Sequence, residues 1–215
     1  MSTIHHTAVV HPTATVDPTA TLGAQAIVGS GVTIGAHVRI GDRAILWRNV
    51  SVGDFATIED GAVVGEDTEI GAGAKLAAHA KTGTNVRIGI RAVVMSRVVI
   101  GNGSHVDDGA HVEMRATLFG GVLIGKDAFV GNRTRLSNHT IVGVGAKVAH
   151  RVVAGRETVI GAGATIDKMV TLGQRSRIGK DAFVPSRVTV PDGGRIDKGA
   201  FVPPAAAGPR QAWLG

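Results

Sequence analysis

The stretch Ile70-Gly71-Ala72-Gly73-Ala74-Lys75 runs from an aliphatic residue through a glycine and two more small residues to a fifth, small residue and a polar sixth, and Leu76 begins the series again. The series extends both ways without insertion or deletion from Ile4 to Val202. Steps of six from Ile4 reach thirty-four positions, of which thirty-two are Ile, Leu or Val; Thr82 and Ala154 depart. Four residues after each, in all thirty-three complete hexads, stands a small residue: seventeen Ala, nine Val, four Thr, two Ser and Gly194. Both places must face a narrow interior. A period of six does not keep one side of a helix of about 3.6 residues per turn aligned, whereas a short strand and a corner repeat identically. Glycine follows the aliphatic residue in seventeen hexads, which fits a sharp turn whose dihedrals glycine adopts cheaply. The period therefore predicts a solenoid of short strands over residues 4–202, with no internal helix and no excursion longer than a turn. Residues 1–3 form an N-terminal tail, and residues 203–215, broken by Pro203, Pro204 and Pro209 and carrying Trp213 and Leu214, a tail or cap.

With 215 residues and 44% hydrophobic content, the chain can bury a substantial core as one unit. Its start, Met1-Ser2-Thr3-Ile4-His5-His6, has no basic stretch leading into an apolar run. No segment approaches the roughly 20 apolar residues of a membrane span. The expectation is a cytoplasmic protein with no membrane partner. The absence of cysteine excludes disulfides, thiolate nucleophiles and Cys-ligated zinc. A net charge of +6 and a pI near 10.3 favour an anionic partner. Aromatic residues make up 3% of the chain and Tyr is missing, a poor supply for stacking bases. Small phosphorylated ligands or acidic carrier proteins are expected, not nucleic acid.

The hexads Ile34-Gly35-Ala36-His37-Val38-Arg39, Ile70 to Lys75, and Ile160-Gly161-Ala162-Gly163-Ala164-Thr165 resemble those of the hexapeptide-repeat transferases. The resemblance covers nearly all of residues 4–202. It implies an all-β fold, a left-handed parallel β-helix of about eleven coils with three hexads per triangular coil. It also implies a homotrimer whose active sites lie in clefts between subunits. At a strand separation of roughly 4.8 Å the prism is on the order of 50 Å long.

In such a coil, residues three hexads apart stack, and the sequence becomes a set of columns. One outward column runs Arg43, Gly61, His79, Arg97, Arg115, Arg133, Arg151, Met169, Arg187. Cations roughly 5 Å apart repel by about 1 kcal/mol per pair even in water, so four successive arginines call for a compensating anion. Either Arg97, Arg115, Arg133 and Arg151 bind the phosphates of coenzyme A, a nucleotide sugar or an acyl carrier, or Glu113, Asp127 or a neighbouring subunit's acids answer them. A second column holds Asn49, Asp67, Asn85, Gly103, Gly121, His139, Glu157 and Arg175. Gly103 and Gly121 clear space beside His139, and Glu157 stands where it can hold the imidazole's tautomer, as a general base requires. Asn138 adds a donor to orient a substrate. The plainer alternative is a corner histidine meeting a solvated glutamate.

The opening Val9-Val10-His11-Pro12-Thr13-Ala14-Thr15-Val16, and Arg115-Ala116-Thr117-Leu118-Phe119-Gly120-Gly121 followed by Ile124-Gly125, resemble the UDP-N-acetylglucosamine O-acyltransferases of lipid A synthesis. That family's catalytic histidine holds the third place of a hexad. Counted forward from Ile124, the matching run Leu136-Ser137-Asn138-His139-Thr140-Ile141-Val142-Gly143 puts Asn138 there and His139 next. Matched by local pattern, Val148-Ala149-His150-Arg151-Val152-Val153-Ala154-Gly155 puts His150 there, with Arg151 in place of the following acid. His139 is preferred, because Lys168 one coil from His150 opposes an imidazolium. The run Ile58-Glu59-Asp60-Gly61-Ala62-Val63-Val64 resembles γ-class carbonic anhydrases, but Gly65, Asn132 and Ser137 stand where that family's histidines are expected, so no metal is assigned.

Outward apolar residues recur as stripes: Val9, Ile27, Ile45 and Val63; Leu123, Ile141 and Val159; Phe129, Phe183 and Phe201. They predict a trimer contact surface. Two functions are carried forward. The first is an acyltransferase moving an acyl group from coenzyme A or an acyl carrier protein to a hydroxyl or amine of a small acceptor, sugars included, with histidine as base and no tightly bound cofactor. The second is a non-catalytic trimeric scaffold or binding module.

Overall fold

The computed structural model describes residues 3–203. It contains thirty-three strands of two residues each, from β1 (Thr3–Ile4), β2 (Val9–Val10) and β3 (Thr15–Val16) to β33 (Arg195–Ile196), and no helix. Each strand pairs in parallel with the one three elements on; Thr3 and Ile4 lie against Thr21 and Leu22. The result is three sheets of eleven strands, the faces of a triangular prism whose edges are the turns. We number the sheets 1 to 3 after β1, β2 and β3. Corner 1 joins sheet 1 to sheet 2, corner 2 joins sheet 2 to sheet 3, and corner 3 returns to sheet 1. Pro204 and beyond, including Pro209, Trp213 and Leu214, lie outside the described residues. Among the described residues no helix is long and apolar enough to cross a membrane.

The first and fifth places of the hexad fill the interior, as the period requires. Leu46, Ile58, Leu76, Leu118 and Leu136 are wholly buried, as are the small residues Ala44, Ala62 and Val98 between them. Truncating such an aliphatic side chain to Ala typically costs about 2–5 kcal/mol. The fifth-place hydroxyls are buried and satisfied: Thr134 Oγ1 donates to the Ala149 carbonyl at 2.8 Å, and Ser104 Oγ to that of Phe119 at 2.9 Å. Thr82, one of the two departures at the first place, is tolerated because its Oγ1 accepts the Gly65 N–H at 3.0 Å.

The glycines following the aliphatic residue have a different cause from the one the sequence implied. Left-handed backbone falls at the fourth place: every sixth residue from Gln25 to Gly199 has φ between 54° and 68°, and twenty of these are not glycine. The second-place glycines are there for contact. A Cβ on Gly131 would sit 2.6 Å from the Ala149 carbonyl carbon and 2.7 Å from the His150 nitrogen. Where glycine stands, the next coil's backbone fills the space a Cβ would take; second-place residues with a Cβ, such as Ala149, keep a similar inter-coil bond, 2.8 Å to the Ile166 carbonyl. At the fourth place, the left-handed turn costs about 1–2 kcal/mol for a residue with a Cβ. It is offset by a backbone bond to the preceding coil, such as Arg43 N–H to the Ala24 carbonyl at 2.8 Å. Between the first two coils the acceptor is a side chain instead: the Oγ1 atoms of Thr7, Thr13 and Thr19 accept the N–H of Gln25, Gly31 and His37.

Candidate functional site

His139 occupies the fourth place on corner 2, with φ 59° and an exposed ring. A fourth-place side chain folds back along the prism over the preceding coil. A Cβ on Gly121 would meet His139 Nδ1 at 2.6 Å and Cε1 at 2.9 Å. The imidazole therefore lies in the space that Gly121 leaves. His79 lies over Gly61 at the same two distances, so the pose is common to the fold. The surroundings of His139 are what differ. One coil beyond Gly121, a Cβ on Gly103 would touch nothing within 4 Å. At the third place, Gly120 lacks a side chain too, and Asn138 Nδ2 stands 3.5 Å from where its Cβ would be. Phe119, 41% exposed, follows Leu118 on the same corner. The arrangement is a notch over Gly103 and Gly120, bordered by the His139 imidazole that covers Gly121, by the Asn138 amide and by Phe119.

Glu157 is next in the column, as the stacking predicts, but its carboxylate faces Arg175 at 3.6 Å. Among the described residues no hydrogen bond joins it to His139. Adjacent members of this column do bond where lengths allow: Asn49 Nδ2 donates to Asp67 Oδ1 at 3.0 Å.

His150 sits at the third place on corner 1, and its Nδ1 accepts the Asn132 N–H at 3.0 Å. This contact repeats along the prism. The side chains of Asp42, Asp54, Asn102, Asp108 and Asp192 accept the N–H of Ala24, Ala36, Thr84, Ile90 and Gln174, each one coil earlier, at 2.7–3.1 Å. His150 thus does the work of an aspartate. With the Nδ1 lone pair engaged, a neutral ring carries its proton on Nε2 and has no free base nitrogen. The ring borders an open cleft of about 310 Å³ with Asn132, Arg133, Arg151, Lys168 and Met169.

Arg97, Arg115, Arg133 and Arg151 lie on successive coils of corner 1, each left-handed and exposed. Neither of the intrachain acids expected to answer them does so. Glu113 is 3.1 Å from His111 Nε2, and Asp127 is on corner 3, with Oδ1 against the bare Gly109. Among the described residues no ion pair includes any of the four. The column and His139 lie on different corners, with the face of sheet 2 between them.

Two carboxyls near corner 1 are held below their usual range, Glu59 chiefly by the Lys75 ammonium at 2.7 Å and Asp167 chiefly by the Ser186 hydroxyl. His105 and His111 lie on sheets 3 and 1. Among the described residues no three His, Cys, Asp or Glu side chains gather into a set that would hold a metal ion. Trp47, 50% exposed, is on corner 2 at the second place, four coils before Phe119.

Residues 4–102, somewhat under half of the chain, match the family model described as the GMPPB C-terminal domain. Comparison with curated proteins finds no similar sequence. Among solved structures, the Arabidopsis UDP-N-acetylglucosamine acyltransferase is 18% identical with a TM-score of 0.65, covering 90% of this chain and 70% of that one. The Campylobacter jejuni UDP-N-acetylglucosamine acyltransferase is 22% identical, TM-score 0.47, covering 85% and 69%. The acetyltransferase domain of PglB from Neisseria gonorrhoeae, in complex with acetyl coenzyme A, is 25% identical, TM-score 0.31, covering 49% and 54%. The chain is thus a left-handed parallel β-helix built from hexapeptide repeats, the fold it shares with the Arabidopsis enzyme.

Proposed function

We propose that this protein is an acyltransferase with His139 as its general base. The acceptor, a small hydroxyl or amine compound, sits in the notch and gives its proton to the imidazole as its lone pair attacks the thioester carbonyl of the donor. The carbon–sulfur bond breaks, and the leaving thiolate takes the proton back from the imidazolium. Asn138 Nδ2 orients the acceptor, while Glu157, paired with Arg175, takes no part in the proton transfer. The donor is an acyl-coenzyme A or an acyl carrier protein, with its anionic part on Arg97, Arg115, Arg133 and Arg151. The proposed setting is the cytoplasm. The observation carrying this reading is an imidazole that lies over the bare Gly121 beside the open Gly103 and that has no hydrogen-bond partner among the described residues.

A homotrimer completes the site. In a closed threefold ring, a patch on one copy meets a different patch on the next. A His139 corner and an arginine corner, apart on one chain, then line one cleft. The stripes of Val9 and Ile27 on sheet 2 and Leu123 and Ile141 on sheet 3, 39–61% exposed, supply apolar contact. Light scattering should give three times 22.0 kDa; the monomer mass at micromolar concentration would refute this.

The second reading, a trimeric scaffold or binding module without catalysis, draws support from the lack of loops across residues 3–203, since loops commonly carry recognition. Release of free thiol from acyl-coenzyme A, with a panel of sugar and amine acceptors, separates the two. Acceptor-dependent release supports the enzyme; no release, with no binding of coenzyme A by calorimetry, leaves the scaffold.

A further inference from the structure

We propose that corner 2 binds a neutral oligosaccharide, laid along the prism from Trp47 to Phe119 with its terminal residue in the notch beside His139. The proposal rests on the acyl-transfer reading for the reaction at that end, and extends the acceptor from a small compound to a glycan of several rings.

Two aromatic side chains frame the corner. Trp47 and Phe119 hold the same second place four coils apart, and both are exposed, at 50% and 41%. At roughly 4.8 Å per coil they stand about 19 Å apart. The second-place residues between them, Gly65, Gly83 and Gly101, add no side chain. An aromatic face takes the C–H face of a pyranose ring and leaves the ring's hydroxyls to polar neighbours. A pyranose is about as long as one coil is tall, so a short extended glycan reaches both aromatics.

The polar neighbours are present. Of the five asparagines in the chain, Asn49, Asn85, Asn102 and Asn138 are on corner 2. Left-handed backbone does not account for this, because corners 1 and 3 share it and hold only Asn132. An amide presents donor and acceptor side by side, which suits hydroxyls that do both. Asn85 is exposed, and its side chain has no hydrogen bond among the described residues. Asn102 engages Oδ1 alone, with the Thr84 N–H at 3.1 Å, which leaves its Nδ2 to donate. Charge sets the ligand apart from phosphates. From Trp47 to His139 the charged residues of the corner are Arg48, Glu66 and Asp67, and Arg48 pairs with Glu66 at 2.9 Å. A nucleotide diphosphate or a nucleic acid strand laid here would meet the Asp67 carboxylate and no unpaired cation of the corner.

The test is calorimetric titration of the full chain with β-linked oligomers of glucose and of N-acetylglucosamine, each as monomer, dimer and tetramer. In at least one series the tetramer should bind about tenfold tighter than the monomer, the scale of one added aromatic contact. Trp47→Ala should remove that gain and leave monomer affinity and melting temperature unchanged, while Trp47→Phe should keep most of it. Asn85→Ala should weaken the tetramer about fivefold, the worth of one hydrogen bond. Equal affinity for monomer and tetramer, binding of neither series, or wild-type tetramer affinity in Trp47→Ala overturns the proposal. Thiol release from acyl-coenzyme A that is as fast with monomers as with tetramers overturns it while sparing the acyl-transfer reading; length-dependent binding that needs Trp47, in a protein with no thiol release, sustains the glycan site and removes that reading.

Discussion

Corners 1 and 2 have the same backbone, and each carries a histidine that sequence matching makes a catalytic candidate. On corner 1, His150 is committed: its Nδ1 closes a backbone N–H of the preceding coil, as aspartates do elsewhere. On corner 2, His139 lies one place later, where the left-handed turn folds it over Gly121 and no hydrogen bond from the described residues reaches its nitrogens. A shift of one residue within the hexad converts a structural acceptor into a candidate base. In a fold this regular, chemistry is decided by place in the repeat and by the neighbour one coil away.

The largest expected effect is at Gly121. In Gly121→Ala the new Cβ would meet the imidazole and push it out of position. Turnover should fall by about a hundredfold if the ring moves by about 1 Å, and unchanged turnover would show that the pose is irrelevant. Next is the contrast between the second and fourth places. Gly131→Ala forces two backbones apart and should cost about 1–3 kcal/mol, whereas Gly145→Ala, with open space around it, should cost about 1 kcal/mol for the left-handed turn. Equal losses in chemical denaturation would remove the steric explanation. Third, His150→Ala should lose about 1 kcal/mol, the net worth of one hydrogen bond, and His150→Asp should restore it; failure of Asp to rescue would break the equivalence between His150 and the corner aspartates. The smallest effect concerns Glu59, whose carboxyl is lowered chiefly by Lys75. A lowered folded pKa gives stability that is present above the unfolded carboxylate range and lost as pH falls through the folded value. Glu59→Gln should therefore melt slightly below the wild type at neutral pH and level with it in acid, and a gap that persists in acid would contradict this.

The fold was legible because a strict period leaves one geometry in which thirty-two aliphatic and thirty-three small residues share an interior, and the arginine column followed from the same count. Two things were not. Glycine after the aliphatic residue looked like a dihedral requirement, since a sequence shows the residue type and not the neighbouring backbone that excludes its Cβ. Glu157 looked like a partner for His139, since a column gives adjacency but not which of two neighbours a flexible carboxylate turns to; Arg175 takes it. The cap role of His150 did leave a signal, because Asp42, Asp54, Asp60, Asn102, Asp108 and Asp192 all share its third place.

The central claim is that His139 is the base and His150 is not, and turnover of two variants under saturating donor and acceptor decides it. His139→Ala should lose at least about a hundredfold, the lower range for a general base, and His150→Asp should keep wild-type turnover. Retained turnover in His139→Ala together with loss in His150→Asp would contradict the assignment.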